Sequence, residues 1–301
     1  MKLWVDTDFG FDDLWALLLL RRAGHELAGV SLVAGNTLLS QAAANALGAN
    51  AAYGLGMQLH CGAASPLKRQ DERADRVLGM TGMQSRGLHL PYVTQPAPPA
   101  NAVKAMAAWL MQEDGPRHLL ALGPLTNIAQ LIMTHPKAAR RITRLVWMGG
   151  SNGPGNHSPQ AEFNALADPE AASVVANSGI ALDVIDLMIC RTASFGPKDV
   201  PYCDPLTADL LGGYLDIGLS RGRSGMAIYD PVAALAMIDP GAFTFENARM
   251  AVSTVVDTSY GATAFTPDAQ SSTRLAVAAK NDTAHICLRA LKKDGLHGIP
   301  T

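Results

Sequence analysis

Short apolar runs alternate along the chain with longer segments whose apolar residues recur at helical spacing. Leu3–Val5 predicts a strand, and Asp13–Arg22 predicts a helix that carries the run Leu17–Leu20. Leu27–Val33 predicts the next strand, Ser40–Tyr53 an alanine-rich helix and Leu59–Cys61 a third strand. Leu119–Leu122 predicts a strand leading to a helix over Leu125–Thr134, and Leu145–Met148 a strand ending at Gly149 and Gly150. Asp168 suits a helix cap with Pro169 in the first turn, and Ala181–Ile185 predicts a further strand. This alternation predicts an α/β fold: an open, mostly parallel sheet with helices on both faces. Positions 251 to 276 are β-rich and polar, which adds a small late hairpin or edge region. No internal repeat or low-complexity tail interrupts the pattern, so one domain over residues 1–301 is expected. In such sheets a site lies beyond the carboxyl ends of the strands.

Two stretches lack periodicity. Gly62–Pro99 is rich in glycine and proline, and so is Gly149–Pro159. Loops of the first length are usually functional or mobile, and the length and glycines of this one raise the hypothesis that it closes over a substrate. The four tryptophans, Trp4, Trp15, Trp109 and Trp147, fall on strands or helices and read as core.

Composition narrows the function classes. The chain has 301 residues, 48% of them hydrophobic, and a net charge of -2. That supports a large core and leaves no basic excess to follow a nucleic-acid backbone, so a polymer substrate is not expected. Leu17–Leu20 is too short to span a membrane, and the N-terminus lacks the pattern of a secretory signal. Cys61, Cys190, Cys203 and Cys287 are scattered with no CxxC pair, as expected of buried thiols in a reducing compartment, the cytoplasm.

The chemistry concentrates at Asp6-Thr7-Asp8-Phe9-Gly10-Phe11-Asp12-Asp13, where four carboxylates follow a strand and precede a helix. Like charges this close resist joint ionisation. A hard divalent cation offsets that cost, because calcium favours several carboxylate and carbonyl oxygens. Helix capping accounts for Asp12 and Asp13 but not for Asp6 and Asp8. Gly10 is expected to give the sharp turn that aims Asp8 and Asp13 at one point. Asp230, in Ile228-Tyr229-Asp230-Pro231, is the best distant ligand candidate. Asn156, Glu162 and Asn164 lie in the second glycine-rich loop and its continuation, and are side chains of the kind that hold sugar hydroxyls.

Together these residues resemble the nucleoside hydrolase family. Its DTDxGxDD opening matches Asp6 to Asp13, and Val33-Ala34-Gly35-Asn36, Ala121 to Asn127, Val146 to Gly150, Glu162-Phe163-Asn164 and Asp230-Pro231 follow in order. The resemblance implies hydrolysis of the N-glycosidic bond of ribonucleosides, in purine and pyrimidine salvage. It implies Ca2+ held by Asp8, Asp13, Asp230 and the backbone carbonyl of Leu122. It implies that Asp12 deprotonates a calcium-held water, and that Asn36, Asn156, Glu162, Asn164 and Asp230 grip the ribose. A homodimer or homotetramer is implied as well.

The resemblance fails at the leaving group. Tyr229 stands where many members carry a histidine that helps protonate the base, and Gly79-Met80-Thr81-Gly82-Met83 holds no second one. Tyr229 offers a hydrogen bond or a stacking ring, and His157 and His89 are the nearby histidines. A broad or purine preference is expected. Two alternatives are a ribose- or nucleoside-binding relative altered in catalysis, and a magnesium phosphohydrolase of the haloacid dehalogenase type. The latter resembles Asp6-Thr7-Asp8 but has no place for Asp12-Asp13.

Overall fold

The computed structural model describes residues 1–69, 78–112 and 115–293. A nine-stranded sheet runs through it in the order β10-β9-β11-β6-β5-β4-β1-β2-β3. The strands are β1 (Lys2–Thr7), β2 (Glu26–Leu32), β3 (Leu59–Cys61), β4 (His118–Ala121), β5 (Arg144–Met148), β6 (Leu182–Ile185), β9 (Phe243–Val252), β10 (Thr263–Pro267) and β11 (Thr273–Ala279). Strands β1 to β6 pair in parallel. A separate two-stranded ribbon joins β7 (Ser194–Phe195) to β8 (Met226–Ala227).

Apolar residues cover both faces, which is why the central strands read as continuous apolar runs. Successive side chains of a strand point to opposite faces. Leu3, Val5, Leu120, Val146 and Met148 therefore join one core cluster. Trp4, Leu119, Ala121, Leu145 and Trp147 join the other. On the first side pack α1 (Phe11–Arg22), α9 (Pro205–Leu219) and α10 (Asp230–Ile238). On the second pack α3 (Ala102–Leu110), α4 (Thr126–Thr134) and α7 (Pro169–Ala176). All four tryptophans are buried, and so are all four cysteines, none of them in a disulfide.

The expected order of elements is present, with shifted ends. The first helix begins at Phe11, not Asp13. The late β-rich region supplies the expected edge, an antiparallel β9–β10 pair at one end of the main sheet. β11 pairs in parallel with β6 and antiparallel with β9, so the region extends the main sheet and only β10 forms the edge. Charge pairs span the junction. Asp183 of β6 accepts bonds from Arg144 of β5 and Arg274 of β11, each with a closest distance of 2.7 Å. Gly79–Pro99 has no strand or helix. The part of the long-loop expectation that falls on residues 70–77 lies outside the described residues.

The chain leaves β1 in two directions across the sheet, toward β2 and β3 on one side and β4 on the other. The carboxyl ends of β1 and β4 thus lie side by side at a switch point, the place where open α/β sheets bind ligands. No helix among the described residues is long and apolar enough to cross a membrane.

Candidate active site

The turn from β1 into α1 is fixed by its own polar groups. The Thr7 hydroxyl donates to Asp13 and accepts from the backbone N–H of Phe9 at 3.0 Å. The N–H of Gly10 donates to the other Asp13 oxygen at 2.7 Å, and Asn45 donates to the Phe9 carbonyl at 3.0 Å. Phe9, not Gly10, takes the left-handed conformation, with φ of 50°. Gly10 is extended, with φ of −83° and ψ of −170°. The expectation for Gly10 is corrected accordingly: its value is space, since an added Cβ would lie 3.0 Å from Asn36 Nδ2 and 3.2 Å from the Gly82 carbonyl.

Asp8 sits behind this turn. It accepts from the Asn36 backbone N–H at 2.6 Å and from Asn36 Nδ2 at 3.0 Å. Gly35 and Gly123 leave room for it, because a Cβ on Gly35 would lie 2.2 Å from Asp8 Oδ2. Asp12, Asp13 and Asp230 bring carboxylate oxygens within 4.8 Å of one another, all three buried. Asp8 stands beside this trio, close enough that its charge raises Asp230. The structure thus gathers the four carboxylates but sets Asp12, expected as a base, inside the group that can share an ion. Leu122 follows β4, and its carbonyl accepts from Asn164 Nδ2 at 2.9 Å.

No lysine, arginine or histidine among the described residues pairs with these carboxylates, so burial dominates their ionisation. Burial lifts Asp12 to about 6 and Asp13 to about 7. Burial, then the charge of Asp13, pushes Asp8 and Asp230 well up. Asp6 points elsewhere. It accepts from Ser31 and from Asn127 at 2.8 Å, one of its oxygens has no partner among the described residues, and burial lifts it to about 7.

The second loop builds the other wall. Glu162 caps the short helix α6 (Phe163–Ala167), accepting from the N–H groups of Asn164 at 2.9 Å, Ala165 at 3.0 Å and Gly150 at 2.8 Å. Burial still lifts it to about 7. Asn164 also donates to the Met148 carbonyl at 3.0 Å, and Asn156 accepts from the Phe163 N–H at 3.0 Å. Asp12, Asn36, Leu122, Asn156, Glu162, Asn164, Tyr229 and Asp230 line one pocket of roughly 840 Å³ measured out to its open mouth. Asp8 and Asp13 lie beneath its floor, fully buried.

Other lining residues escaped the sequence reading. Tyr214, on α9, donates to Asp12 at 3.3 Å and to the Ala227 carbonyl at 3.2 Å. In the sequence it is one more apolar-helix position. Arg191, Arg221 and Arg223 also line the pocket, as does Leu78 from the long loop. Of the two histidines, His157 lines it, and His89 is an exposed residue beside Ser85 that does not.

Sequence comparison decides what this arrangement is. The profile described as inosine-uridine preferring nucleoside hydrolase matches residues 3–295. The chain belongs to that family. It is 35% identical over 264 residues to the non-specific ribonucleoside hydrolase RihC of Salmonella enteritidis, covering 86% of this chain and 85% of that one. It is 30% identical over 275 residues to the pyrimidine-specific ribonucleoside hydrolase RihB of Escherichia coli, covering 87% and 86%. An uncharacterized Schizosaccharomyces pombe protein is 43% identical over 175 residues, but the match covers only 58% of this chain and 53% of that protein. Among solved structures, the plant nucleoside hydrolase PpNRh1 superposes with a TM-score of 0.88 at 22% identity, covering 97% and 99% of the two chains. A purine-preferring ribonucleoside hydrolase from Gardnerella vaginalis gives 0.86 at 23%, with the same coverage. At that identity the superpositions establish the fold. Members of this nucleoside hydrolase family split ribonucleosides into ribose and free base, and the phosphohydrolase alternative is set aside.

Proposed function

We propose that this nucleoside hydrolase uses Ca2+ held by Asp8, Asp13, Asp230 and the Leu122 carbonyl, with Asp12 as general base. The observation that carries the reading is the buried trio of Asp12, Asp13 and Asp230, with oxygens within 4.8 Å and no cationic partner among the described residues. Four buried carboxylates held above their ordinary range are an all-oxygen donor set in need of positive charge, which suits a hard divalent cation. When bound, calcium supplies Lewis acidity to oxygen ligands at the pocket floor.

The protein's own groups do the rest. Asp12 takes a proton from the attacking water, and the Tyr214 hydroxyl steadies its carboxylate. Asn36, Asn156, Glu162, Asn164 and Asp230 bind the ribose hydroxyls. Their bonds to the sugar tighten as positive charge develops on it, which lowers the barrier and not only the binding energy. Glu162 is pre-organised for this by its three backbone donors. Tyr229 contacts the leaving base by hydrogen bond or stacking. A homodimer or homotetramer working in cytoplasmic nucleoside salvage on a broad or purine-leaning set of substrates completes the reading.

The missing leaving-group histidine favours one second reading, a nucleoside-binding relative altered in catalysis. A panel of ribonucleosides assayed for released ribose, with and without a chelator, separates the two. The hydrolase reading expects release that stops on chelation and returns with calcium. Binding without release in every condition would leave the second.

A further inference from the structure

The pocket is polarised. Its carboxylates, Asp12, Glu162 and Asp230, are all buried at the floor. Its guanidinium groups, Arg191, Arg221 and Arg223, are all exposed at the rim. Arg191 is tied down, donating to the Pro154 carbonyl at 3.0 Å and the Gly155 carbonyl at 2.9 Å. Arg221 and Arg223 come from the turn before β8, and neither makes an ion pair or side-chain hydrogen bond among the described residues. Arg191, Arg221 and Arg223 share the lining of this pocket with Tyr229.

On the reading above, depth in the pocket sets which end of a nucleoside meets which charge. Asp230 belongs to the floor, where the ribose binds, and Tyr229 directly before it faces the base. The arginines around Tyr229 therefore face the base as well. A guanidinium has five donors and no acceptor, and it does not release a proton at neutral pH. It cannot replace a histidine as an acid. It can bind an anionic oxygen through paired charge-assisted bonds, and it leaves an amino group of a base facing donors only.

We propose that the pocket selects ribonucleosides whose base carries a formal negative charge, as an exocyclic carboxylate or a ring oxyanion. Such a base gains a second negative charge when the C–N electron pair leaves with it; Arg221 and Arg223 offset the charge it already carries, and the departing nitrogen takes its proton from solvent at the open mouth. This rests on the hydrolase reading above. The reaction is still hydrolysis: water adds at the anomeric carbon, the C–N bond breaks, and its electron pair leaves with the base.

The test compares orotidine (a base carboxylate) and xanthosine (a ring oxyanion near neutral pH) with uridine, inosine and adenosine. Uridine 5′-phosphate controls for an anion at the sugar end. The expected result is kcat/KM about 10- to 100-fold higher for the anionic bases than for the neutral ones, the size expected of charge-assisted bonds. The preference ratio should fall by a similar factor in R221Q/R223Q, two exposed positions whose loss leaves the core intact. Binding of orotidine and uridine to D12N, by calorimetry with calcium present, gives the same comparison without turnover. Neutral nucleosides cleaved as well as anionic ones, with the ratio unmoved in R221Q/R223Q, would overturn the proposal and leave the hydrolase reading standing. Preference for uridine 5′-phosphate would place the recognised anion on the sugar and also overturn it. If nothing is cleaved, the hydrolase reading fails on its own, and the binding ratio still decides the selectivity.

Discussion

Stripping the metal should leave a protein whose stability falls as pH rises. The perturbation is a thermal unfolding series on chelated protein between pH 5.5 and 8. An ordinary aspartate titrates at 3.8, and burial lifts Asp13 to about 7 in the folded chain. Between those values the folded state keeps a proton that the unfolded chain releases. Folding is therefore favoured at low pH, and the advantage is lost as pH rises through about 7. The gap corresponds to about 4 kcal/mol for Asp13 and about 3 kcal/mol for Asp12, which is lifted to about 6. The two share one mutual repulsion and do not sum, so about 4 kcal/mol is the working figure. Only the part of that gap between pH 5.5 and about 7, roughly 2 kcal/mol, falls inside the series, so at 2–4 °C per kcal/mol the Tm of the chelated protein should drop by roughly 4–8 °C.

Calcium should reverse this. A cation bound only by the folded state at a thousandfold excess over Kd adds about 4 kcal/mol, and it favours the ionised carboxylates, so the gain is greatest at pH 8. Asp230→Asn supplies the control. It removes one of the charges that raise each other and keeps the side-chain shape. The chelated variant should melt several degrees above chelated wild type at pH 8 and gain little from calcium. A wild-type Tm that is flat or rising from pH 5.5 to 8 under chelation would refute the buried-charge account. So would a calcium response of equal size in the variant.

Three further outcomes follow from the same geometry. Asp12→Asn should lower kcat by about 10²- to 10⁴-fold while nucleoside binding persists, as for loss of a general base, and calorimetry beside turnover distinguishes this from a collapsed pocket. Gly35→Ala puts a methyl 2.2 Å from Asp8 Oδ2 and 2.8 Å from Pro124 Cδ, so it should cost about 1–3 kcal/mol and weaken calcium binding; an unchanged calcium titration would count against Asp8 as a ligand. Tyr214→Phe removes the hydroxyl 3.3 Å from Asp12 and should reduce kcat by roughly threefold to tenfold, the worth of one hydrogen bond. If kcat holds in that variant, Tyr214 is only packing.

What the sequence revealed depended on whether the cause was local. Carboxylates crowded at a strand end are anomalous on electrostatic grounds alone, so Asp8, Asp12 and Asp13 were legible from their spacing. Glu162 and Asn164 became legible only through the family resemblance, because a polar loop has many uses. Gly10 was misjudged for a tertiary reason: Asn45, 35 positions downstream, holds the Phe9 carbonyl, and Thr7 holds the Phe9 N–H, so Phe9 takes the left-handed turn. Tyr214 was hidden by its neighbours. With Leu210, Leu211 and Leu215 it satisfies the helical apolar pattern, and it is indeed buried in that core. Only its hydroxyl crosses 202 positions of sequence to Asp12.

The edge of the sheet shows the same division. The β-rich character of residues 251–276 was visible, yet nothing local says that β11 lies beside β6. At that junction lies Asp183, a buried carboxylate that would be costly alone and is satisfied by Arg144 on one side and Arg274 on the other. The carboxylates at the other end of the strands have no such partners among the described residues. Two buried acidic positions in one sheet are thus treated in opposite ways. Asp183 is neutralised by arginines of its own chain, whereas Asp8, Asp12, Asp13 and Asp230 have no such partner among the described residues and form a cluster that could hold a cation. A fold selected for stability alone would pair them all. The unpaired set marks where stability has been given up for chemistry, and it lies at the switch point between β1 and β4.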